Sequence, residues 1–425
     1  MFSKSWSKFS KSEFSRNVSS QILGTGTAQA LPFLATPLLT RLFTEADFAV
    51  YTSFFAVASI FAVGVGGKYQ LAIVLPHKEE DAQNLFVLSI YVTFGYAFLI
   101  ALLLPMFHGF FPKDLQNALY FVAPHVLFFG VWSAYINQSI RQKRFATNAY
   151  AKVIQSIGYI VAAIGLGAIK FLSFGLVIAK ILGTVASYFF LHKKSIARLK
   201  IVPLVKLKKV AKTYVDYPKY GIGPAFLNTV SLQALVLILT KYYTTDDLGH
   251  YGLTLMVLSA PLTLIGNSYK DVFYQKMASL VMHRQYHLAM GFFKKSTLAL
   301  LSLSAPICLI LFFFGESLFH FIFGENWIRS GEFATILAFS FGVRLVVSPL
   351  SSIFNATNTL RIASVWQILY FISTFATLIV CAAVLKLPVT SLLVVYVVHE
   401  IILYTLYLSI QYYVIRFKIT NGKNH

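Results

Sequence analysis

The sequence predicts an all-helical integral membrane protein with about twelve transmembrane helices. Of its 425 residues 57% are hydrophobic and 12% are charged, whereas soluble domains carry roughly 25% charged residues. Runs of roughly 20 mostly apolar residues, the length that crosses the hydrocarbon core, recur along the chain. Lysine and arginine are concentrated in alternate connections between these runs. A soluble protein and an enzyme with an aqueous catalytic domain are therefore excluded.

The predicted spans divide into two sets of six. Because each set is even, the sets share one orientation and both termini are expected in the cytoplasm. Each predicted outer loop holds one basic residue and the inner segments hold most of the others, as the positive-inside rule requires. The formal net charge of +21 thus reflects topology, and no nucleic-acid partner is expected. The predicted spans are 18–40, 47–66, 84–105, 117–139, 149–169, 173–191, 218–240, 248–266, 295–314, 331–355, 362–385 and 388–414.

The spans predict a division into five regions. Basic and aromatic residues alternate at the N-terminus with no apolar stretch ahead of a cleavage site, which argues against a cleaved signal peptide. The long basic connection between the two sets is either a solvated linker or an amphipathic helix in the membrane interface. The regions are a cytoplasmic amphipathic N-terminus (1–17), an N-terminal six-helix lobe (18–191), a basic cytoplasmic linker (192–217), a C-terminal six-helix lobe (218–414) and a cytoplasmic tail (415–425).

An internal repeat supports two equivalent lobes. Leu39–Asp47 and Leu239–Asp247 share Leu, both Thr residues and the final Asp at a constant offset. Further identities at the same offset are Tyr51 with Tyr251, Gly66 with Gly266, and Tyr69 with Tyr269. Such repeats in transporters commonly place the substrate between them. Asp47 and Asp247 are interpreted as N-caps of the following helices.

Ionisable residues inside the spans mark the candidate site, because a charge at membrane depth is costly. Arg344 and Lys180 are the candidates for binding an anionic group in a cationic cavity, since arginine offers a planar fork of donors and lysine a compact charge. The alternative is a structural pair between either cation and Glu400. Glu400 and His399 are the candidates for coupling to H⁺ or Na⁺.

A second set of basic residues is predicted at the inner mouth. Most are interpreted as topology signals and contacts to anionic lipid headgroups. One or two are candidates for capturing an anionic substrate as it enters. The set, called the inner-mouth residues below, comprises Lys68, Arg141, Lys143, Arg144, Lys270 and Arg361.

Signals for a metal or nucleotide site are weak. The glycine-rich stretch 64–69 lacks the spacing of a phosphate-binding loop. His283 and His287 lack a third ligand, and Cys308 and Cys381 lie in apolar runs. We expect no metal and no cofactor.

Three segments carry a resemblance to a known family. They are 40–51, 68–76 and 79–82, with the sequences TRLFTEADFAVY, KYQLAIVLP and EEDA. They resemble the polysaccharide-transporter branch of the multidrug/oligosaccharidyl-lipid/polysaccharide (MOP) exporter superfamily, and within it the Wzx-type repeat-unit flippases that serve O-antigen and lipopolysaccharide biosynthesis or capsule and exopolysaccharide export. The resemblance implies two six-helix lobes around a central cavity, as in MATE transporters, working by alternating access.

The resemblance also implies the substrate and the location. The substrate is an undecaprenyl-diphosphate-linked oligosaccharide, moved from the inner to the outer leaflet of the bacterial inner membrane. Polysaccharide polymerase and assembly proteins are implied as partners. The chain is thus expected to be a secondary transporter and not an enzyme.

Two alternatives remain. A cation-coupled multidrug exporter of the same fold would need deep carboxylates in the first six spans, where the sequence shows only Lys180. A membrane glycan polymerase or ligase would need a large outer loop with catalytic residues, and the longest predicted outer loop, about 315–330, is short.

Overall fold

The computed structural model describes residues 24–171, 174–195 and 201–421, and these residues contain helices and no strand. Eleven helices among them are long and apolar enough to cross a membrane. The hydrocarbon core of a membrane explains the helical structure, because only helices and closed barrels satisfy every backbone polar group internally. The protein is a multi-pass membrane protein, as predicted. The predicted N-terminal segment 1–17 lies outside the described residues.

The chain divides into two compact units, with the boundary between Thr229 and Val230. The first unit begins with a helix whose described part is 24–42 (α1) and which is not among the eleven. A broken segment, Val65–Lys68 and Tyr69–Ala72, follows the second helix. The remaining long helices are α2 (Glu45–Ala62), α3 (Glu79–Leu103), α4 (Val122–Arg141), α5 (Phe145–Ala168) and α6 (Gly175–Lys194).

The second unit contains the other long helices, and the unit boundary falls within the first of them. They are α7 (Asp216–Tyr242), α8 (Thr245–Pro261, continued by a π-helical turn, Leu262–Gly266, to Asn267–Met282), α9 (Tyr286–Phe323), α10 (Ile328–Leu350), α11 (Leu360–Ile379) and α12 (Val389–Asn421).

Two of these helices are longer than predicted. The span predicted at 295–314 is part of a 38-residue helix, α9, because Lys294 and Lys295, which read as a span end, lie within its first turns. The helix predicted to end at 266 continues to Met282 through the π-helical turn. Charged residues end a hydrophobic run without ending a helix.

The repeat motif forms the same helix start in each unit. The Thr44 hydroxyl donates to the Asp47 carboxylate at 2.8 Å, and the Asp47 backbone N–H donates back to that hydroxyl at 3.4 Å. Thr244 and Asp247 repeat this arrangement, at 2.8 and 3.1 Å. The N-cap residues are therefore the threonines, and each aspartate occupies the third position of the helix (N3) and pairs with its threonine. The expected capping is present, but three residues earlier than assigned.

The basic connection between the lobes is helical where it is described. Its helix, Leu204–Thr213, buries Leu207 and Val210 in the apolar core of the first unit. Lys206 forms an ion pair with Glu80, which raises the pKa of the Lys206 ammonium. These ten residues form an amphipathic helix, and its location in the membrane interface stays a prediction.

Close helix contact in the first unit depends on small residues, as is common in membranes. A Cβ at Gly183 of α6 would lie 2.5 Å from the backbone oxygen of Gln155 in α5, and 2.8 Å from the backbone nitrogen of Tyr159. Backbone atoms cannot rotate away. Gly183 therefore sets how closely α5 and α6 approach.

We predict that Gly183→Val destabilises the protein by about 3 kcal/mol or more, the upper range for overpacking. The control is Gly165→Val, because a Cβ at Gly165 of α5 meets no atom within 4 Å. The melting temperature of the purified protein in detergent checks both variants. Equal melting temperatures for the two would contradict this account of the packing.

Candidate functional site

Arg344 is a cation within a candidate membrane span, and it has no hydrogen-bond or ion-pair partner among the described residues. It lies on α10 within the apolar span Glu325–Ala356, six residues (350 − 344) or about 9 Å along the axis from the end of α10 at Leu350. Its side chain is half-buried, and the guanidinium lies 5.3 Å from the ring centroid of Phe341. Within the part of the chain that the structure describes, the guanidinium forms no hydrogen bond and no ion pair. Its donors are available to a ligand.

Tyrosines and one carboxylate surround this guanidinium within the second unit. Arg344 interacts electrostatically with Tyr370 of α11 and with Tyr396, Glu400 and Tyr404 of α12. These neighbours come from two helices that follow α10 in the chain. The result is a polar cluster in an otherwise apolar bundle.

Glu400 is fully buried beside this cluster. The Tyr370 hydroxyl donates to its Oε1 at 2.9 Å, whereas Oε2 has no hydrogen-bond partner. The carboxylate interacts with Arg344 electrostatically without a direct ion pair. The structural pair considered as an alternative is therefore not formed with Arg344.

His399 is the second coupling candidate, and it lies next to Glu400. Its Nδ1 is 3.8 Å from Oε1 of the carboxylate. Both ring nitrogens are buried without a hydrogen-bond partner among the described residues. Two titratable groups with unsatisfied atoms thus lie side by side on α12.

Lys180 lies in an aromatic cage in the first unit. Its Nζ is 5.5 Å from the ring centroid of Phe55 and 5.8 Å from that of Tyr159. Tyr51 stacks on both rings, at 6.0 and 6.3 Å. Aromatic faces attract a cation without neutralising it. Lys180 is five residues after Gly175, about 7.5 Å along the axis from the start of α6.

The repeat places the equivalent tyrosines Tyr51 and Tyr251 near the two cations. Tyr51 belongs to the cage around Lys180, and Tyr251, at the corresponding position of α8, interacts electrostatically with Arg344. In the sequence this tyrosine pair indicated only an internal repeat. The other aromatic neighbours were missed, because 24 tyrosines and 40 phenylalanines offer no spacing that singles them out.

The inner-mouth residues differ in how their charges are used. Arg141 forms an ion pair with Glu79 at 3.0 Å and donates to the backbone oxygens of Ile73 and Pro76 at 3.2 and 2.8 Å. It thereby fastens the connection between α2 and α3 to the end of α4. Arg144 donates to the backbone oxygen of Lys194.

The remaining inner-mouth residues make fewer contacts. Lys68 is half-buried with a left-handed backbone (φ 61°), and burial lowers the pKa of its ammonium. Lys143 also has a left-handed backbone, at φ 57°. Lys270 and Arg361 are exposed.

The described residues contain no group of three or more His, Cys, Asp or Glu side chains that could hold a metal ion. The Nδ1–H of His283 donates to the Ser279 backbone oxygen at 2.8 Å, at the end of a helix. Cys308 and Cys381 are buried and unpaired.

The chain matches the family described as "Polysaccharide biosynthesis protein" over residues 38–332, more than half of its length. No curated protein sequence matches it. Its fold is similar to three solved structures. They are "Lipid II flippase MurJ, inward closed conformation" (TM-score 0.70, 14% identity, 91% of this chain and 86% of that chain), a MOP superfamily transporter from Pyrococcus furiosus (0.64, 11%, 95% and 96%), and an inward-facing multidrug resistance MATE family transporter (0.62, 13%, 92% and 96%).

These likenesses show the fold. The chain has the transporter fold of the MOP superfamily, shared by MurJ and MATE proteins, as the sequence predicted. Eleven candidate spans lie in the described residues, and the role of a transporter stays a prediction. The Wzx-type branch stays a prediction.

We predict that Arg141→Gln destabilises the protein by about 1.5–3 kcal/mol, because a buried charged donor loses partners. Arg361→Gln, which removes an exposed charge, is the control and should stay within about 0.5 kcal/mol of wild type. Thermal unfolding in detergent measures both. An unchanged midpoint for Arg141→Gln would show that its three contacts do not hold the α2–α3 connection.

Proposed function

The chain belongs to the polysaccharide biosynthesis protein family, and from this premise we propose that it is a flippase for lipid-linked oligosaccharides. Its substrate is an undecaprenyl-diphosphate-linked repeat unit, moved from the inner to the outer leaflet of the bacterial inner membrane by alternating access. The product serves assembly of O-antigen, capsule or exopolysaccharide. Both termini lie in the cytoplasm. The observation that carries the proposal is the unpartnered guanidinium of Arg344 inside an apolar span.

Arg344 binds the diphosphate of the substrate. A planar guanidinium offers paired N–H donors that match two phosphate oxygens, and such charge-assisted bonds are about twice as strong as neutral ones. In a water-poor span the attraction is further strengthened by the low dielectric constant. The tyrosine hydroxyls around it, such as Tyr396 and Tyr404, supply polar contacts without a competing charge.

Lys180 is the second candidate cation for an anionic substrate. Its aromatic cage positions the ammonium, and no carboxylate in the described part of the chain competes with an anionic ligand for it. Among the inner-mouth residues, Lys68, Lys270 and Arg361 make the initial contact with substrate or lipid phosphates. Arg141 stabilises the fold and does not bind substrate, because its donors already form hydrogen bonds with Glu79 and with the backbone oxygen of Pro76.

Glu400 and His399 couple transport to H⁺ or Na⁺. The unpartnered Oε2 of Glu400 can take up a proton or a cation. The carboxylate is close enough to Arg344 to interact with it, and so its charge alters the attraction of the guanidinium for a diphosphate. Uptake of a cation by Glu400 would strengthen anion binding, and its release would weaken it.

A drug exporter is the second candidate function, because MATE multidrug transporters share the fold. Such a protein must attract cationic drugs. The deep charge that the structure describes in α2–α6 is a cation, Lys180, and so the first unit repels that class of substrate. The lipid-linked anionic substrate is therefore favoured.

We predict that Arg344→Ala lowers surface polysaccharide by roughly 100-fold at unchanged protein abundance, the scale of a lost charge-assisted contact. Lipid-diphosphate-linked oligosaccharide should accumulate in the inner leaflet of the same cells, as in a gene deletion. Lys276→Ala, which removes an exposed lysine of the same unit, is the control and should behave as wild type. Normal surface polysaccharide in Arg344→Ala would rule out this binding site.

We predict that Glu400→Gln flattens the dependence of transport on pH, because the amide cannot exchange a proton. Initial transport rates across mildly acidic to neutral pH measure this. Asp246→Gln changes a carboxyl group at the start of α8 and serves as the control. A Glu400→Gln profile parallel to that of wild type would remove Glu400 from the coupling mechanism.

A further inference from the structure

The second unit carries an apolar groove that the transport site does not use. Two adjoining cavities of about 360 and 410 Å³ lie along α9, and they share Thr297, Leu301 and Leu408. The first is walled by α9, α10 and α12, and the second by α9 and α12. Together they form one continuous channel on the side of α9, here called the α9 groove.

On the floor of the α9 groove, the Ser304 hydroxyl and the Cys308 thiol already form hydrogen bonds within the protein. Ser304 donates to the backbone oxygen of Gly342 at 3.0 Å, and Cys308 donates to that of Ala338 at 3.3 Å. Gly342 permits this approach, since a Cβ there would come within 2.2 Å of the Cys308 sulfur. Ser304 and Cys308 therefore present no unsatisfied donor to a hydrocarbon chain on this floor.

One end of the groove carries a positive charge. Lys294 lines the second cavity and is exposed, with its Nζ 5.8 Å from the ring centroid of Tyr412. The charge is not paired with a carboxylate in the described ranges. A cation at the end of an apolar channel fits an amphiphile with an anionic headgroup and a linear hydrocarbon tail.

The length of the groove distinguishes between two kinds of lipid. From Lys294 to Leu309 the channel follows fifteen residues of α9 (309 − 294), about 22 Å along the axis. One leaflet of a bilayer with a core of about 30 Å accommodates chains of about 15 Å. A polyisoprenoid chain is long enough to fill the groove, and the groove exceeds the depth that one leaflet gives to its own chains.

We propose that the α9 groove holds the polyisoprenoid chain of the lipid-linked substrate, with Lys294 facing its phosphates, as a loading site before translocation. This inference rests on the proposed function. Val343 of the groove and Arg344 are adjacent on α10, and so the tail site and the diphosphate site occupy neighbouring faces of one helix. The tail stays on the lipid side while the headgroup moves.

The test is photo-crosslinking of the purified full chain in vesicles of phosphatidylethanolamine and phosphatidylglycerol. The probe is a sugar-free polyisoprenyl diphosphate with a diazirine in its chain. Wild type should be labelled on α9 and α12. Leu301→Trp and Thr405→Trp, which fill the groove from opposite walls, should each lower labelling by about tenfold.

Two matched controls accompany these variants. Leu303→Trp adds the same bulk at an exposed position of α9 outside the groove, and should label as wild type. Lys294→Gln should lower labelling several-fold, whereas Lys295→Gln, beside it and outside the lining, should not. Equal labelling in Leu301→Trp and Leu303→Trp would overturn the proposal.

Competition identifies the lipid. Unlabelled polyisoprenyl phosphate should displace the probe, and added phosphatidylglycerol should not. Equal displacement by both would overturn the proposal and mark an ordinary lipid contact. Because the probe carries no sugar and need not cross the bilayer, groove labelling without glycan transport rejects only the flippase assignment. Glycan transport without groove labelling rejects only the loading site.

Discussion

The free-energy cost of a charge inside the membrane is the constraint on which the rest of the structure depends. Insertion scales assign about 2.5–3.5 kcal/mol to an arginine at the centre of a transmembrane helix, and Arg344 bears this cost without an ion-pair partner. Polar but uncharged tyrosines surround it, and Glu400 is held near without touching it. The arrangement keeps the charge solvated enough to be tolerated and free enough to bind an anion.

The duplicated unit supplies the framework for this charge and for its counterpart. Thr44 and Thr244 cap equivalent helices through equivalent hydrogen bonds. About two turns further, Tyr51 stacks on Tyr159 beside Lys180, and Tyr251 interacts electrostatically with Arg344. The units differ in what surrounds the cation. Lys180 has an aromatic cage, whereas the neighbours of Arg344 include a carboxylate. The coupling that we propose therefore belongs to the second unit.

How much the sequence predicted depends on the range of the interaction. Local apolar runs predict the span positions, and eleven of the spans are present. The repeat and the isolated cations within spans can also be read from the sequence alone. The ends of α9 were missed, because Lys294 and Lys295 interrupt the hydrophobic run but not the helix. The hydrogen bond from Arg141 to a backbone oxygen at residue 73 could not be predicted, since contacts between distant segments leave no local pattern. The tyrosines around Arg344 were missed for the same reason.

The most direct test of the central role of Arg344 is translocation by the purified protein. Proteoliposomes would contain a lipid-diphosphate-linked oligosaccharide, and the fraction reaching the opposite leaflet would be followed by its accessibility to a glycan-cleaving enzyme added outside. We expect protein-dependent translocation that is lost with Arg344→Ala and kept with Lys276→Ala. Translocation equal to that of protein-free vesicles, or unaffected by Arg344→Ala, would contradict the account.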